Sequence, residues 1–358
     1  VLTLHDGDRV PSELYENGEL QAMASDGRVE QAIASVRDWG ADLVAGHLAS
    51  ALGISGYHRV GVARAIVDFN RFPGLTREGS RHVERLALGG PLADAMTAKQ
   101  RRHVLSSHYD AISERVDELV DDQLIILSVH TYDERNSTHT QRPEVSLLSR
   151  SDSYQRDSHL PFGLFDPLFP DVLTESSAKR VLRDRMALTL EKAGIYVEHN
   201  YPYCLPDGSI EIRSQPWLFF LKLRVVFEAA NPETQNDPAF STVWEMLSNT
   251  NLRRADAGAL SRYLHRFCEA PEGQEPEFQA AAAAYDVICL FLGARPNFVH
   301  EYRRSLDRTS AITVEVRKDL VWNFDAQGRP LRPNEAQGER IGRLLAGGIS
   351  TFLHHDRN

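Results

Sequence analysis

The spacing of apolar and polar positions changes along this chain, and each change marks an element. VLTL is a short apolar run that stops at His5, Asp6 and Gly7, the pattern of a buried strand ending in a polar turn. From 28 to 53 the apolar positions Ile33, Val36, Leu43, Val44, Leu48 and Leu52 recur at helical spacing and Gly53 supplies a stop, which predicts a helix with Asp38 and Asp42 one turn apart. YHRVGVARAIVDFNR is rich in Val and Ile and predicts one or two strands running into the polar cluster Asp68, Asn70 and Arg71. A long helix is expected over 93–122. LIILSV at 124–129 has the length of a central strand and places His130 on the turn after it. SSAKRVLRDRMALTLEKAG reads as an amphipathic helix closed by Gly194, followed by the strand IYVEHN.

Alternation of helix and strand is the α/β signature, so the expected fold is a mostly parallel or mixed sheet flanked by helices. From about 205 to 298 the texture turns wholly helical, through WLFFLKLRVVFEAAN, FSTVWEMLSNTNLRRADAGALSRYLHRFCEA and FQAAAAAYDVICLFLGA. The predicted organisation is an α/β domain from 1–204 and 296–358 that carries a helical insertion at 205–295. Sheet pattern resumes in AITVEVRKDLVWNF, and EAQGERIGRLLAGGISTFLHH closes the chain as a helix. WLFFLKLRVVF is too apolar for a free surface, so it must pack on the core, on a second subunit or over the active site. A lid and a homo-oligomer contact are both expectations for this insertion. Glu228, at its end, is assigned a structural role within the helix.

Composition narrows the function classes. With 358 residues, 42% of them hydrophobic, the chain has material for one large globular domain or a core domain with an insertion. A formal charge of -10 argues against nucleic acid and anionic membrane as partners. Cys204, Cys268 and Cys289 contain no C-x-x-C pair, so neither a disulfide framework nor a thiolate zinc site is suggested, and a cytoplasmic location is expected. No basic leader followed by an apolar stretch opens the sequence, and no apolar run reaches about 18 residues. Because the first residue is Val1, a trimmed leader stays open.

His5 and His130 both stand at strand ends, the edge where open α/β sheets bind ligands. Two such histidines supply the imidazole pair of many catalytic zinc sites, which add a carboxylate and keep one position for water. Capping a strand is the plain alternative for either residue. In ARAIVDFNR, strand alternation sends Arg64, Ile66 and Asp68 to one face, and a buried Arg64 needs an anion, either a core carboxylate or that of a substrate. In AITVEVRKD the same alternation sets Thr313, Glu315 and Arg317 opposite Ile312, Val314 and Val316. Glu315 is therefore either a general base tuned by burial or the partner of Arg317 or Arg64 in a salt bridge.

Taken in order, these segments resemble the N-formylglutamate amidohydrolase family, whose members look like zinc carboxypeptidases in fold. LHDGDRVPSEL is similar to the family's Pro-His-x-Gly segment, with Leu4 where proline is usual, and RDWGADLVAGHLASALG to its Thr-Asp-Trp helix. ARAIVDFNR resembles its Arg-x-x-x-Asp-x-Asn-Arg strand, LIILSVHTYDER its strand ending in His-Ser with Thr131 for serine, IYVEHNYPY its Asn-x-Pro-Tyr turn, and SAITVEVRKDL its Glu-x-Arg strand. The likeness covers residues 1–204 and 296–355. It implies a three-layer mixed sheet flanked by helices, resembling the zinc carboxypeptidase and phosphorylase/hydrolase-like fold, and one Zn2+ held by His5, His130 and Asp38, with Asp42, Asp6 and Glu13 as alternatives for the third ligand. Glu315 would act as general base, and Arg64 and Arg71 would hold a substrate carboxylate or the oxyanion, with Asn70 and Arg317 assisting. Arg303 or Arg304 is a further anion contact or, more plainly, surface charge. The implied activity is hydrolysis of a small anionic N-acyl amide. A carboxypeptidase-like peptidase acting on a peptide or cell-wall fragment, and a non-catalytic binding protein of the same fold, are the other readings.

Overall fold

In the computed structural model, which describes residues 1–16, 18–71, 73, 87–121, 123–151, 166–173, 176–206, 208–248, 251 and 255–355, the apolar runs of the sequence lie side by side. Six strands form the main sheet: β1 (Leu2–Thr3), β2 (His58–Arg59), β3 (Ile125–Tyr132), β4 (Val145–Leu148), β5 (Val197–His199) and β6 (Ser310–Arg317). Their order is β2-β1-β3-β6-β4-β5. The first four are mutually parallel and β4 runs antiparallel to β6, so the sheet is mixed. β3 and β6 are its centre, paired residue for residue from Ile125 opposite Ser310 to Tyr132 opposite Arg317.

Strand alternation sorts these residues between two helical layers. On one face Leu127, Val129, Ile312, Val314 and Val316 pack with three helices, α3 (Ala41–Leu52), α6 (Arg180–Lys192) and α13 (Glu335–His355). On the other, Leu2, Ile126 and Ala311 join a core built from α1 (Glu19–Ser25), α2 (Arg28–Val36), α4 (Ala98–Val104), α5 (Asp110–Val120) and the start of α7 (Ile210–Ala230). Glycines let α13 lie close to its neighbours: a Cβ on Gly342 would stand 2.8 Å from the Cβ of His47, and one on Gly348 2.6 Å from the Cα of Met186.

The helical segment has a third core. Phe219, Phe220, Leu223 and Phe227 of α7 pack with α8 (Pro238–Leu247), α9 (Ala255–Leu264), α10 (Glu275–Gly293) and α11 (Phe298–Arg304), around Trp244, Phe278, Ile288 and Tyr302. Ile210 and Trp217, earlier on α7, belong instead to the core of the sheet layer. The apolar run WLFFLKLRVVF thus packs within the chain, and α7 is shared by the two cores. Glu228 does serve its own helix, accepting a 2.6 Å bond from Arg224. Among the described residues no single helix is long and apolar enough to cross a membrane.

Local structure departs from the sequence pattern in four places. The helix expected over 28–53 is two helices: the backbone turns extended at Arg37, and Gly40, at φ 88°, a conformation a side chain resists, caps the start of the second. ARAIVDFNR is not a strand. The amides of Ile66 and Val67 both bond to the carbonyl of Ala63, so the chain coils there, and Ile66 points into the core away from Arg64. The helix expected over 93–122 starts at Ala98, behind a Thr97 capping box, and is interrupted by a π-turn at Leu105–Tyr109. β3 continues to Tyr132, so His130 lies within the strand and not on the turn after it. After β6 the chain turns through α12 (Lys318–Val321) into a small hairpin of β7 (Trp322–Phe324) and β8 (Pro330–Pro333).

Candidate active site and metal centre

Because β1, β3 and β6 are parallel, their carboxyl ends share one edge, and a cavity of about 640 Å³ opens there. His5 lies two residues past the end of β1, while His130 and Glu315 face each other across the β3–β6 pair. Asp38 arrives from the break between α2 and α3. Its amide bonds to the carbonyl of His5 at 3.2 Å, and its neighbour Trp39 is fixed by an indole bond to Ala34 and by Thr131, whose hydroxyl donates to the Trp39 carbonyl. The coil at 63–68 brings Arg64 and Asp68 together as an i,i+4 pair, with Arg64 Nε 3.1 Å from Asp68 Oδ2.

These side chains converge. Nδ1 of His130 stands 2.8 Å from Asp38 Oδ2 and Nδ1 of His5 stands 3.5 Å from the same oxygen, with the ring centroids 4.6 Å apart. All three residues are buried. His5 turns its other nitrogen, Nε2, to Asp68 Oδ1 at 2.7 Å, the outer carboxylate contact that orients metal-bound imidazoles. Two imidazole nitrogens and a carboxylate oxygen aimed at one point fit a divalent cation such as zinc, and each atom of the trio lies within 4.8 Å of the others. Of the other acids proposed for the third ligand, Asp6 is engaged by Arg37 at 2.9 Å and Arg59 at 3.3 Å, Asp42 bonds the amide of Leu43, and Glu13 pairs with His108.

The charges around this point are not ordinary. Burial opposes ionisation of Asp38, but hydrogen bonds and charge from His130 and His5 outweigh it and hold the carboxyl well below the usual range. Asp68 is held down in the same way, against burial, by His5 and Arg64. Burial lowers and Asp38 raises the basicity of His130, and the second effect wins. Glu315 is pushed upward by burial, with the charge of His130 acting against that rise. Its Oε1 accepts a 2.6 Å bond from the phenol of Tyr203.

The cavity gathers seven of the eight residues expected at a site: His5, Asp38, Arg64, Asn70, Arg71, His130 and Glu315 all line it. Asn70 is partly committed to structure, since its Oδ1 accepts the amide of Ile210 at the start of α7. Arg317 is not brought in. The chain turns immediately after β6, and its guanidinium pairs with Asp319 at 2.8 and 3.0 Å. Arg303 and Arg304 lie on α11 and do not line the cavity. The lining residues not foreseen as site residues include Asp68, Tyr203, Arg142 and Lys318. Tyr203 had a signal in the NYPY turn, which contains a cis Tyr201–Pro202 peptide. Arg142 and Lys318 had none, because both reach the cavity only through tertiary packing; Lys318 also contacts Asp133 at 3.2 Å.

No protein-family model matches the chain, and no curated protein matches it. Among solved structures it is similar to gene product Atu2144 from Agrobacterium tumefaciens, at 15% identity and a TM-score of 0.47 over 100% of this chain and 90% of that one. It is also similar to N-formylglutamate amidohydrolase from Ralstonia eutropha JMP134, at 11% identity and a TM-score of 0.48 over 99% of this chain and 94% of that one. The chemistry of the cavity rests on the side chains themselves.

Proposed function

We propose that the protein is a zinc-dependent hydrolase that cleaves a small anionic N-acyl amide in the cavity at the ends of β1, β3 and β6. The observation that carries this reading is the convergence of His5, Asp38 and His130 on one point, with the carboxylate of Glu315 on the neighbouring strand. A zinc ion held by His5, Asp38 and His130 would supply a lowered water pKa and polarisation of the amide carbonyl. Glu315 faces the same space, and its upward shift fits a group that takes a proton from water and returns it to the leaving nitrogen. Tyr203 steadies the Glu315 carboxylate through Oε1 and leaves Oε2 for that exchange. Arg64 is paired with Asp68 and stands 3.6 Å from Asp38, so its charge stabilises the carboxylates that position the imidazoles and the oxygen charge that develops on the amide. Arg71, with only a 3.6 Å approach to Asp68, and Arg142 and Lys318 line the same cavity and suit a substrate carboxylate.

Zinc content and a substrate panel test this directly. Purified protein loaded with zinc should hydrolyse an N-formyl or N-acetyl amino acid with a carboxylate side chain faster than the matching neutral amide or a dipeptide. His130→Ala should lose that activity together with zinc at the cavity. Hydrolysis unchanged in His130→Ala sinks the metallohydrolase reading, and a preference for dipeptides moves the assignment to a peptidase.

A further inference from the structure

A second cluster of metal-binding side chains lies outside the cavity, and the helix interruption at Leu105–Tyr109 creates it. His103 and His108 are five residues apart. On an α-helix that spacing separates them by about 140° around the axis, so they would not share a face. The π-turn between α4 and α5 closes bonds from i to i+5 and brings such residues one above the other. Here it directs the Nε2 atoms of both rings at one oxygen, Glu13 Oε1, from 3.4 Å for His103 and 2.9 Å for His108. Glu13 is positioned by the 3-10 turn Ser12–Tyr15, which is tied to the same helix by a 3.0 Å bond from Gln100 Nε2 to the carbonyl of Leu14.

We infer that Glu13, His103 and His108 form a second zinc site, open to solvent and separate from the cavity. Their donor atoms lie within 4.8 Å of one another. Tetrahedral ligands at about 2.1 Å from a zinc ion stand about 3.4 Å apart, close to what the side chains already show. Imidazole and carboxylate donors together select zinc over calcium or magnesium. His103 also has an outer contact of the kind that metal-bound imidazoles use: its Nδ1 stands 3.2 Å from the hydroxyl of Ser107, which with the proton on Nδ1 leaves Nε2 as the ligand atom. The three residues come from two segments, so bound zinc clamps the turn at 12–15 onto the long helix. The exposure of His103 leaves one position for water or an added ligand.

Zinc stoichiometry by equilibrium dialysis and elemental analysis tests the site without reference to activity. Wild-type protein should hold two equivalents at saturation, H103A/H108A one, H130A one, and the triple variant none. H103A/H108A should keep wild-type hydrolysis, and wild-type protein should gain thermal stability from the second equivalent while H103A/H108A should not. Ser107→Ala should weaken the second equivalent about tenfold or more. Equal zinc content in wild type and H103A/H108A overturns the inference and leaves the cluster as an ion pair. If H103A/H108A fails to fold by circular dichroism, Glu13→Gln, which preserves shape, provides the same comparison. Failure of the cavity site has a different signature, since H130A would then hold as much zinc as wild type.

Discussion

The phenol of Tyr203 donates a 2.6 Å hydrogen bond to Oε1 of Glu315, joining a turn after β5 to the carboxyl-terminal half of β6 across 112 residues of chain. That bond stabilises the ionised carboxylate, while burial works to neutralise it. On the proposed function Glu315 is the general base, and a base works only when ionised, so the rate should rise with pH through its pKa. Tyr203→Phe removes the stabilising bond and raises that pKa. The acidic limb of the kcat/KM profile should therefore move to higher pH, with a larger rate loss at low pH than on the plateau. An unshifted limb would detach Tyr203 from the titration of the base.

Glu315→Gln should leave the zinc content of the cavity unchanged and reduce kcat by about 10² to 10⁴, the usual worth of positioned proton transfer. Steady-state rates alongside metal analysis check this. A loss of less than tenfold would assign the proton transfer to another group.

Arg71→Ala should raise KM for an anionic N-acyl substrate by about 10- to 100-fold, the value of a charged hydrogen bond, and change KM for a neutral amide little. Arg71 approaches Asp68 only at 3.6 Å, so its guanidinium is the less committed of the two that flank this carboxylate. Equal effects on both substrates would make Arg71 a structural partner of Asp68 and not a substrate contact.

Gly342→Ala tests the packing of α13. Helix propensity alone favours alanine by about 1 kcal/mol. The new Cβ would sit 2.8 Å from the Cβ of His47 and from the amide nitrogen of Leu48, and the backbone of α3 has little room to yield. Overpacking, which costs about 1–3 kcal/mol, should outweigh this, with a net loss of up to about 2 kcal/mol in urea unfolding. Increased stability would show that the two helices separate freely.

The sheet was legible because burial writes itself into the chain as period. LIILSV and AITVEV alternate between two layers, and both became the central strands β3 and β6. Glu315 was readable in the same way, as a carboxylate on the face opposite Ile312, Val314 and Val316. Where the backbone departs from a regular period, the pattern misled. An extended Arg37 and a positive-φ Gly40 split one apparent helix into two, and Asp38 lies in the break between them, turned toward the histidines. ARAIVDFNR looks like a strand by composition, yet it coils, and Arg64 meets Asp68 through helical spacing where alternation had paired them.

The sequence by itself determined that there is an α/β core, which segments form its central strands, and which residue types near their carboxyl ends are able to hold a metal and move a proton. Only the tertiary structure decided which carboxylate meets the imidazoles: Asp6, Asp38, Asp42 and Glu13 are equivalent as letters, and Asp38 alone of these meets His5 and His130, because it lies in the break between two helices where its amide is tied to the carbonyl of His5. It also decided that Arg317 leaves the site, that Arg142, Lys318 and Tyr203 enter it, and that a π-turn aligns His103 with His108. The physical reason is the same throughout. Period reports local burial, whereas convergence depends on turns and on contacts between segments far apart in sequence, which no local pattern encodes.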